Sequence, residues 1–372
     1  MKMKIAIVHD YLNQYGGAER VVEAMHEIWP HAPIYTSIYL KDNMPDSFKG
    51  IDIRTTFMQK FPFLKNHFKK YLIFYPRAIE SIDVKDFDVI ISSSSAFAKG
   101  VIPGNNSCHI CYCYAPMRFV WDYERYTEKE NFNKLILKFL PFILKNQRKW
   151  DLKTSGRVDY FIAISENIKN KIKKIYNRES VVIYPPVNTK NFSISKNKED
   201  YFLVVSRLNA YKNIDTVIRA FNQLNLNLKI VGTGPYEETL KKMVKGKKIE
   251  FLGRVGDRKL AEIYSKSRAF IFPGDEDFGI SPLEAQASGV PVISLARGGA
   301  LETVIESVTG IFYKENDEGL LIEAVKKFID KEDSFNKIDI RKHALKFDKE
   351  VFKKQLEDFV LKTYEEFRNK KE

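Results

Sequence analysis

Short apolar, β-branched runs alternate with helical patterns along this whole chain, and that rhythm leaves few folds open. Runs at 5–8, 89–92, 110–114, 160–164, 181–184, 202–206, 228–231, 249–252, 269–272 and 290–294 read as strands. Between many of them apolar residues recur at spacings of three and four, as in Val21, Val22, Met25, Ile28 and Trp29. Strands joined through helices pair in parallel and need helices on both faces of the sheet. A length of 372 residues favours two domains. The break is expected near Tyr184, Pro185 and Pro186 and the polar stretch 193–200, with five strand runs on each side. The expected fold is α/β, two Rossmann-like doubly wound domains facing a central cleft at the carboxyl ends of their strands. The expected boundaries are 1–190, 191–346 and a C-terminal helix, 347–372, packing back on the N-terminal domain.

The stretch 272–285, Phe-Pro-Gly-Asp-Glu-Asp-Phe-Gly-Ile-Ser-Pro-Leu-Glu-Ala, places Glu276 and Glu284 on either side of a glycine turn. Ser281 reads as an N-cap, Pro282 as the first helical position and Glu284 as the third. The N–H groups of Phe278, Gly279, Ile280 and Ser281 then face outward at the positive end of a helix dipole, a site for phosphate. The flanking carboxylates suit sugar hydroxyls. The same residues also read as a plain capping box, with Glu284 turned back onto the Ser281 N–H.

Other loops carry the same chemistry. Gly16 and Gly17 follow the first strand and open a helix. Arg207 and Lys212 follow 202–206, where two cations could hold a diphosphate. Gly232 and Gly234 follow 228–231, and Gly298 and Gly299 follow 290–294. Each alone is turn chemistry or a solvated loop. Together they place anion-suited loops on the same edge of their sheets.

A net charge of +13 points to an anionic partner. No nucleic-acid module is recognisable, so nucleic acid is not expected. No apolar run reaches the roughly 18 residues of a spanning helix. The N-terminus reads as a strand rather than a signal peptide, which predicts a cytoplasmic chain, resting on the inner face of the cell membrane. Residues 57–77 and 134–150 combine aromatic and aliphatic side chains with Lys and Arg and contain no acid, a pattern suited to an anionic membrane surface. The other reading is domain core with a solvated lysine rim. Cys108, Cys111 and Cys113 beside His109 fit zinc spacing poorly and alternate like a buried strand.

These residues resemble a known family. His9-Asp10-Tyr11-Leu12 with Gly16-Gly17-Ala18-Glu19-Arg20, Val158-Asp159-Tyr160-Phe161-Ile162-Ala163, Tyr184-Pro185-Pro186-Val187, Glu276…Glu284 and Gly298-Gly299-Ala300-Leu301-Glu302 are similar to the retaining family 4 glycosyltransferases of GT-B fold. Bacterial mannosyltransferases of O-antigen and exopolysaccharide assembly are the nearest group. The resemblance implies a hexosyltransferase using GDP-mannose, with a lipid-linked or growing glycan as acceptor. A UDP-hexose or UDP-N-acetylhexosamine donor is the alternative, and a non-catalytic membrane-docking protein the alternative of another class. It implies that Glu284 takes the ribose hydroxyls and Glu276 those of the donor sugar. Arg207 and Lys212 hold the diphosphate and steady its departing charge. Gly16 and Gly17 complete the phosphate cradle, and Arg254 and Val255 border the base. Tyr114 and Arg118 lie on the acceptor side, with Tyr114 standing where the family usually has His; a phenol cannot carry a proton near neutral pH as imidazole can. No cofactor and no metal are expected, the cations taking the metal's place. The triplets Asp86-Phe87-Asp88 and Asp275-Glu276-Asp277 are the places a metal reading would start from.

Overall fold

The structure, a computed structural model, describes residues 3–122 and 134–371, without the side chains of 66, 69 and 134–140. Two compact units divide the chain, Met1–Pro186 with Phe352–Glu372, and Val187–Val351.

The first unit holds a seven-stranded sheet of β1 (Ile5–His9), β2 (Ile34–Thr36), β3 (Ile53–Thr55), β4 (Val89–Ser94), β5 (Cys108–Cys113), β6 (Tyr160–Ala163) and β7 (Ser180–Val182). The order is β3-β2-β1-β4-β5-β6-β7, and all neighbours are parallel. The strand order therefore reverses between β1 and β4, which sets the loops after those strands side by side. Asp10, just past β1, locks them together. Its carboxylate accepts from the backbone N–H groups of Ser95, Ala96, Phe97 and Ala98 at 2.6–3.0 Å. Ala6, Val8 and Ile90 bury against Ile38, Met58, Tyr75, Ile79 and Phe97. The helix Lys349–Asn369 lays Phe352 edge-on to Tyr112 at 5.7 Å and Phe359 edge-on to Tyr160 at 6.4 Å.

The second unit holds six parallel strands, β8 (Phe202–Val205), β9 (Leu228–Val231), β10 (Ile249–Gly253), β11 (Phe270–Phe272), β12 (Val292–Leu295) and β13 (Gly310–Tyr313), in the order β10-β9-β8-β11-β12-β13. Its sheet is apolar on both faces, as a sheet covered on both sides must be. Phe202 and Val204 point into one layer with Val217, Phe221, Val325 and Phe328. Leu203, Phe270 and Phe272 point into the other with Ile263, Tyr264, Ala285 and Ala287. Each such buried side chain contributes about 2 kcal/mol of transfer free energy.

Ten strand runs were expected and thirteen strands form among the described residues. β2 and β3 are three residues each, too short for any period, and β13 opens on a glycine, which strands disfavour. The unit boundaries also differ from 190 and 346. Val187 donates to Phe347 O at 3.0 Å and Lys349 donates to Val187 O at 2.9 Å, which ties both segments into the second unit. Among the described residues no helix is long and apolar enough to cross a membrane.

Candidate active site

In the second unit the strand order reverses between β8 and β11, and the loops that leave these strands carry the charged residues singled out in the sequence. Arg207, exposed, follows β8 directly. Lys212 ends a short turn, Ala210–Lys212, and Asn213 in left-handed conformation starts the helix Ile214–Leu224. The Asn213 side-chain amide donates to Pro273 O at 3.1 Å, pinning the β8 loop to the β11 loop. Across that contact Lys212 Nζ donates to Glu276 Oε1 at 2.5 Å, with the two side chains 14% and 31% exposed. The pair is partly shielded from water, so its attraction exceeds that of a surface pair while both groups stay within reach of solvent.

The helix after β11 begins two residues earlier than the sequence suggested. It spans Ile280–Ala287 with Gly279 as N-cap at φ +88°, a conformation open to glycine and strained for other residues. Pro282 is therefore the third helical position and Ser281 the second, and the Ser281/Glu284 capping box does not form. Gly279, Ile280 and Ser281 supply N–H groups with no intrahelical acceptor by helix geometry, and Pro282 has none to supply. Glu284 is buried, and the Tyr264 hydroxyl donates to its Oε2 at 3.1 Å. Tyr264 lies on the helix Asp257–Lys266, which starts just after Arg254 and Val255. Arg254 is exposed and Val255 packs on the core layer that contains Tyr264. His343 Nδ1 and Gln286 Oε1 lie 2.8 Å apart, and the Gln286 amide donates to Thr303 O at 2.6 Å, fixing the back of the Glu284 helix.

Residues 186–344 match the family described as Glycosyl transferases group 1, and residues 15–191 match Glycosyltransferase Family 4. The chain belongs to the family 4 glycosyltransferases. It is 38% identical to the O-antigen chain mannosyltransferase RfbU of Salmonella typhimurium over 41% of this chain and 46% of RfbU. It is 29% identical to the alpha-1,3/1,6-mannosyltransferase ALG2 of Mus musculus over 56% of this chain and 60% of that protein. The chain thus spans roughly half the length of these curated relatives. A sucrose-phosphate synthase of Thermosynechococcus elongatus superposes with a TM-score of 0.74 at 17% identity, covering 98% of this chain and 99% of that one. HepE of Anabaena, solved in complex with UDP, gives 0.72 at 16% identity over 97% and 100%. At such identities these neighbours establish the fold, two Rossmann-like domains of GT-B type, and no more.

In the second unit two glycine turns serve a different end from the anion binding read in the sequence. A Cβ on Gly299 would lie 2.2 Å from Phe278 Cα, and one on Gly234 would lie 2.3 Å from Leu208 O. The turn after β12 presses on the Glu276 loop, where Gly299 N–H donates to Glu276 O at 2.8 Å, and the turn after β9 presses on the Arg207 loop. Both glycines are there to let loops touch.

Gly16, Gly17, Tyr114 and Arg118 belong to the first unit. Gly16 caps the helix Gly17–Ile28, and buried Glu19 accepts from the Gly16 N–H at 2.8 Å. The Gly16-x-x-Glu19 spacing is itself a signal for that bond, passed over in the sequence. Tyr114 was expected on the acceptor side, but its hydroxyl is committed inside the unit. It donates to Ala18 O at 3.1 Å and lies 2.8 Å from Ser93 Oγ, which is 3.0 Å from His9 Nδ1. Tyr114 therefore braces the Gly16–Gly17 turn from below. Arg118 is half-buried at the start of the helix Arg118–Trp121.

The cysteines lie in β5, all buried. Burial pushes the Cys108 thiol up to about 12 and the His109 imidazole down to about 4. His109 Nδ1 lies 2.9 Å from Arg157 O and Nε2 lies 2.8 Å from Ser92 Oγ, so a neutral ring donating from Nδ1 and accepting at Nε2 satisfies both. Among the described residues no group of three or more His, Cys, Asp or Glu is arranged to hold a metal ion. Asp88 of the first acidic triplet lies at the strand's starting edge and accepts from the Lys4 N–H at 2.7 Å.

Proposed function

We propose that the chain transfers mannose from GDP-mannose to a hydroxyl of a lipid-linked or growing glycan, with retention at the anomeric carbon and without a metal. The observation that carries this reading is the Lys212–Glu276 pair at the strand-order reversal, beside the Gly279-capped helix start and buried Glu284. A nucleoside diphosphate presents its phosphates to Arg207, Lys212 and the first-turn N–H groups. The incoming diphosphate competes with Glu276 for Lys212 and leaves the Glu276 carboxylate to accept from the sugar hydroxyls. Glu284, held by Tyr264, accepts from the ribose hydroxyls. The bond from the anomeric carbon to the phosphate oxygen breaks as the acceptor oxygen bonds to that carbon from the same face. The acceptor's proton passes to a phosphate oxygen, and the cations stabilise the charge that collects on the leaving diphosphate. Mannose as the sugar draws support from the mannosyltransferase names of the relatives in sequence, and GDP accompanies that choice.

A thermal-shift panel of GDP, UDP and ADP tests the base, since a ligand that binds only the folded chain raises Tm with its concentration. GDP alone is expected to stabilise, and a shift by UDP alone would move the reading to a UDP-sugar. Proton NMR of the product's anomeric signal tests retention, and activity in the presence of EDTA tests metal independence.

A further inference from the structure

The arginines of the second unit divide by what they hold. Arg219 donates to Asp215 at 3.0 Å and to Glu318 at 2.8 Å, Arg268 to Glu332 at 2.5 Å and to Asp200 at 3.0 Å, and Arg341 to Phe192 O at 2.7 Å. Arg207, Arg254 and Arg297 are exposed, and their guanidinium groups have no hydrogen bond or ion pair among the described residues. These three leave the carboxyl ends of strands: Arg254 follows β10, Arg207 follows β8 and Arg297 follows β12. Arg258, also exposed and without such a partner, lies on the helix Asp257–Lys266 and not at a strand end. Arg254 and Arg207 are already read as contacts for the base and the diphosphate. Arg297 has no such part.

Arg297 stands against the Glu276 loop. β11 and β12 are parallel neighbours, with Phe272 level with Ser294. Gly298, the residue after Arg297, is at φ +57°, and a Cβ on it would lie 2.2 Å from Glu276 O and 2.7 Å from Asp275 Oδ1. A Cβ on Gly274 would lie 3.5 Å from Glu276 Oε1 and 3.9 Å from Lys212 Cδ. One residue therefore separates Arg297 from a turn that touches the loop of the Lys212–Glu276 pair. The sheet order sets the charged loops in a row: Arg254 after β10, Arg207 and Lys212 after β8, Glu276 after β11, then Arg297 after β12. Neighbouring strands lie about 4.8 Å apart, so the three arginines are rooted at intervals of roughly 10 Å. A nucleotide sugar laid along this row, base at Arg254 and phosphates at Arg207 and Lys212, brings its hexose to Glu276 and ends beside Arg297.

A sugar hydroxyl both donates and accepts, while an ionised carboxylate such as Glu276 only accepts. A guanidinium supplies the missing donors, and its fixed fork can serve two neighbouring hydroxyl oxygens at once. The anomeric carbon carries the phosphate, so the hydroxyls that reach Arg297 are those on the far side of the ring. We propose that Arg297 is a specificity-determining residue, its guanidinium donating to hexose hydroxyls remote from the anomeric carbon while Glu276 accepts from the same sugar. The assignment rests on the nucleotide-sugar reading of the site and adds to it a cation that grips the sugar and not the diphosphate.

The experiment is isothermal titration calorimetry of the full chain and of its Arg297→Ala and Arg297→Lys variants with GDP, GDP-mannose, UDP and UDP-glucose. The nucleotide that the unsubstituted chain binds is compared with its own sugar nucleotide. Failure of the donor reading thus shows in the unsubstituted chain, and failure of the Arg297 assignment only in the variants. Arg297→Ala is expected to leave the Kd for the nucleotide unchanged and to raise that for the sugar nucleotide about tenfold, the loss of a charge-assisted hydrogen bond. Arg297→Lys falls between, because an ammonium keeps the charge and loses the fork. Tm stays in place in both variants, since the side chain is already in water and holds nothing in the fold. Equal loss on nucleotide and sugar nucleotide would put the guanidinium on the phosphates and overturn the proposal. Unchanged Kd for both would leave Arg297 a solvated side chain and overturn it as well. An unsubstituted chain that takes none of the four ligands removes the donor reading and the role of Arg297 with it.

Discussion

The Tyr264 hydroxyl donates to Glu284 Oε2 at 3.1 Å, from a helix that follows Arg254 and Val255 to one that Gly279 begins. Both side chains are buried, so this bond sets where the second carboxylate oxygen points. A hydrogen bond to a charged group contributes about 1.5–3 kcal/mol. Tyr264→Phe is therefore expected to raise the Kd for nucleotide about tenfold or more by isothermal titration calorimetry. A lowered Tm with unchanged Kd would confine Tyr264 to a structural role.

Glu276 and Lys212 predict an asymmetry. Glu276→Ala frees Lys212 from its 2.5 Å partner. The free nucleoside diphosphate should bind as well as before or more tightly, because Lys212 no longer has to leave a carboxylate. The intact sugar nucleotide should lose affinity, and transfer should stop. Lys212→Ala should instead lower kcat by roughly 10²–10³ in steady-state assays, the cost of one preorganised charge at a departing group. Equal weakening of nucleotide and sugar nucleotide by Glu276→Ala would contradict the division of labour between the two residues.

Much of this was legible in the sequence, and what was missed has a local cause. The central strands and the loops bearing Arg207, Lys212, Glu276 and Glu284 follow from periodicity and turn chemistry, because buried parallel strands read as continuous apolar runs. The helix start at Ile280 was misplaced because Ser281-Pro282 is a strong N-terminal signal, and Gly279 at φ +88° overrides it only once the β11 loop is packed. Tyr264 was invisible because its partner lies twenty residues away and its own helix shows only an apolar face. Tyr114 was placed by the family resemblance, while its hydrogen bonds run to Ser93 and Ala18, which no spacing connects to it. Gly234 and Gly299 illustrate the same limit: a glycine that binds an anion and one that admits a neighbouring backbone look alike until the neighbour is in place.

Gly299→Ala tests the packing reading directly. A Cβ there would overlap Phe278 Cα, C and O, all within 2.5 Å, and backbone cannot swing away as a side-chain tip can. Overpacking of this kind costs about 1–3 kcal/mol. We expect a lower midpoint in urea unfolding. Nucleotide affinity should fall as well, even under conditions where the variant is fully folded, because the displaced segment carries the helix start. Unchanged stability together with lost binding would restore an anion-contact role for this turn.

His109 makes stability depend on pH in a window set by its own burial. Its ordinary value is 6.5 and desolvation lowers it to about 4 in the folded chain, where Ser92 and Arg157 hold the neutral ring. Above pH 6.5 both folded and unfolded chains carry neutral imidazole and the full stability is present. Between 6.5 and 4 the unfolded chain binds a proton that the folded chain refuses, so stability falls as pH falls, by roughly 3 kcal/mol across the window. Urea unfolding at pH 7.5, 6 and 5 should show this decline. Carboxylates contribute as well at the acid end, so the decisive comparison is with His109→Gln, which cannot titrate. That variant starts less stable, because Gln does not reproduce the ring's two contacts, but its stability should fall less steeply below pH 6.5. Parallel slopes for the two proteins would mean that His109 is protonated in the folded chain at its ordinary value, and that water reaches a ring the structure places entirely out of its reach.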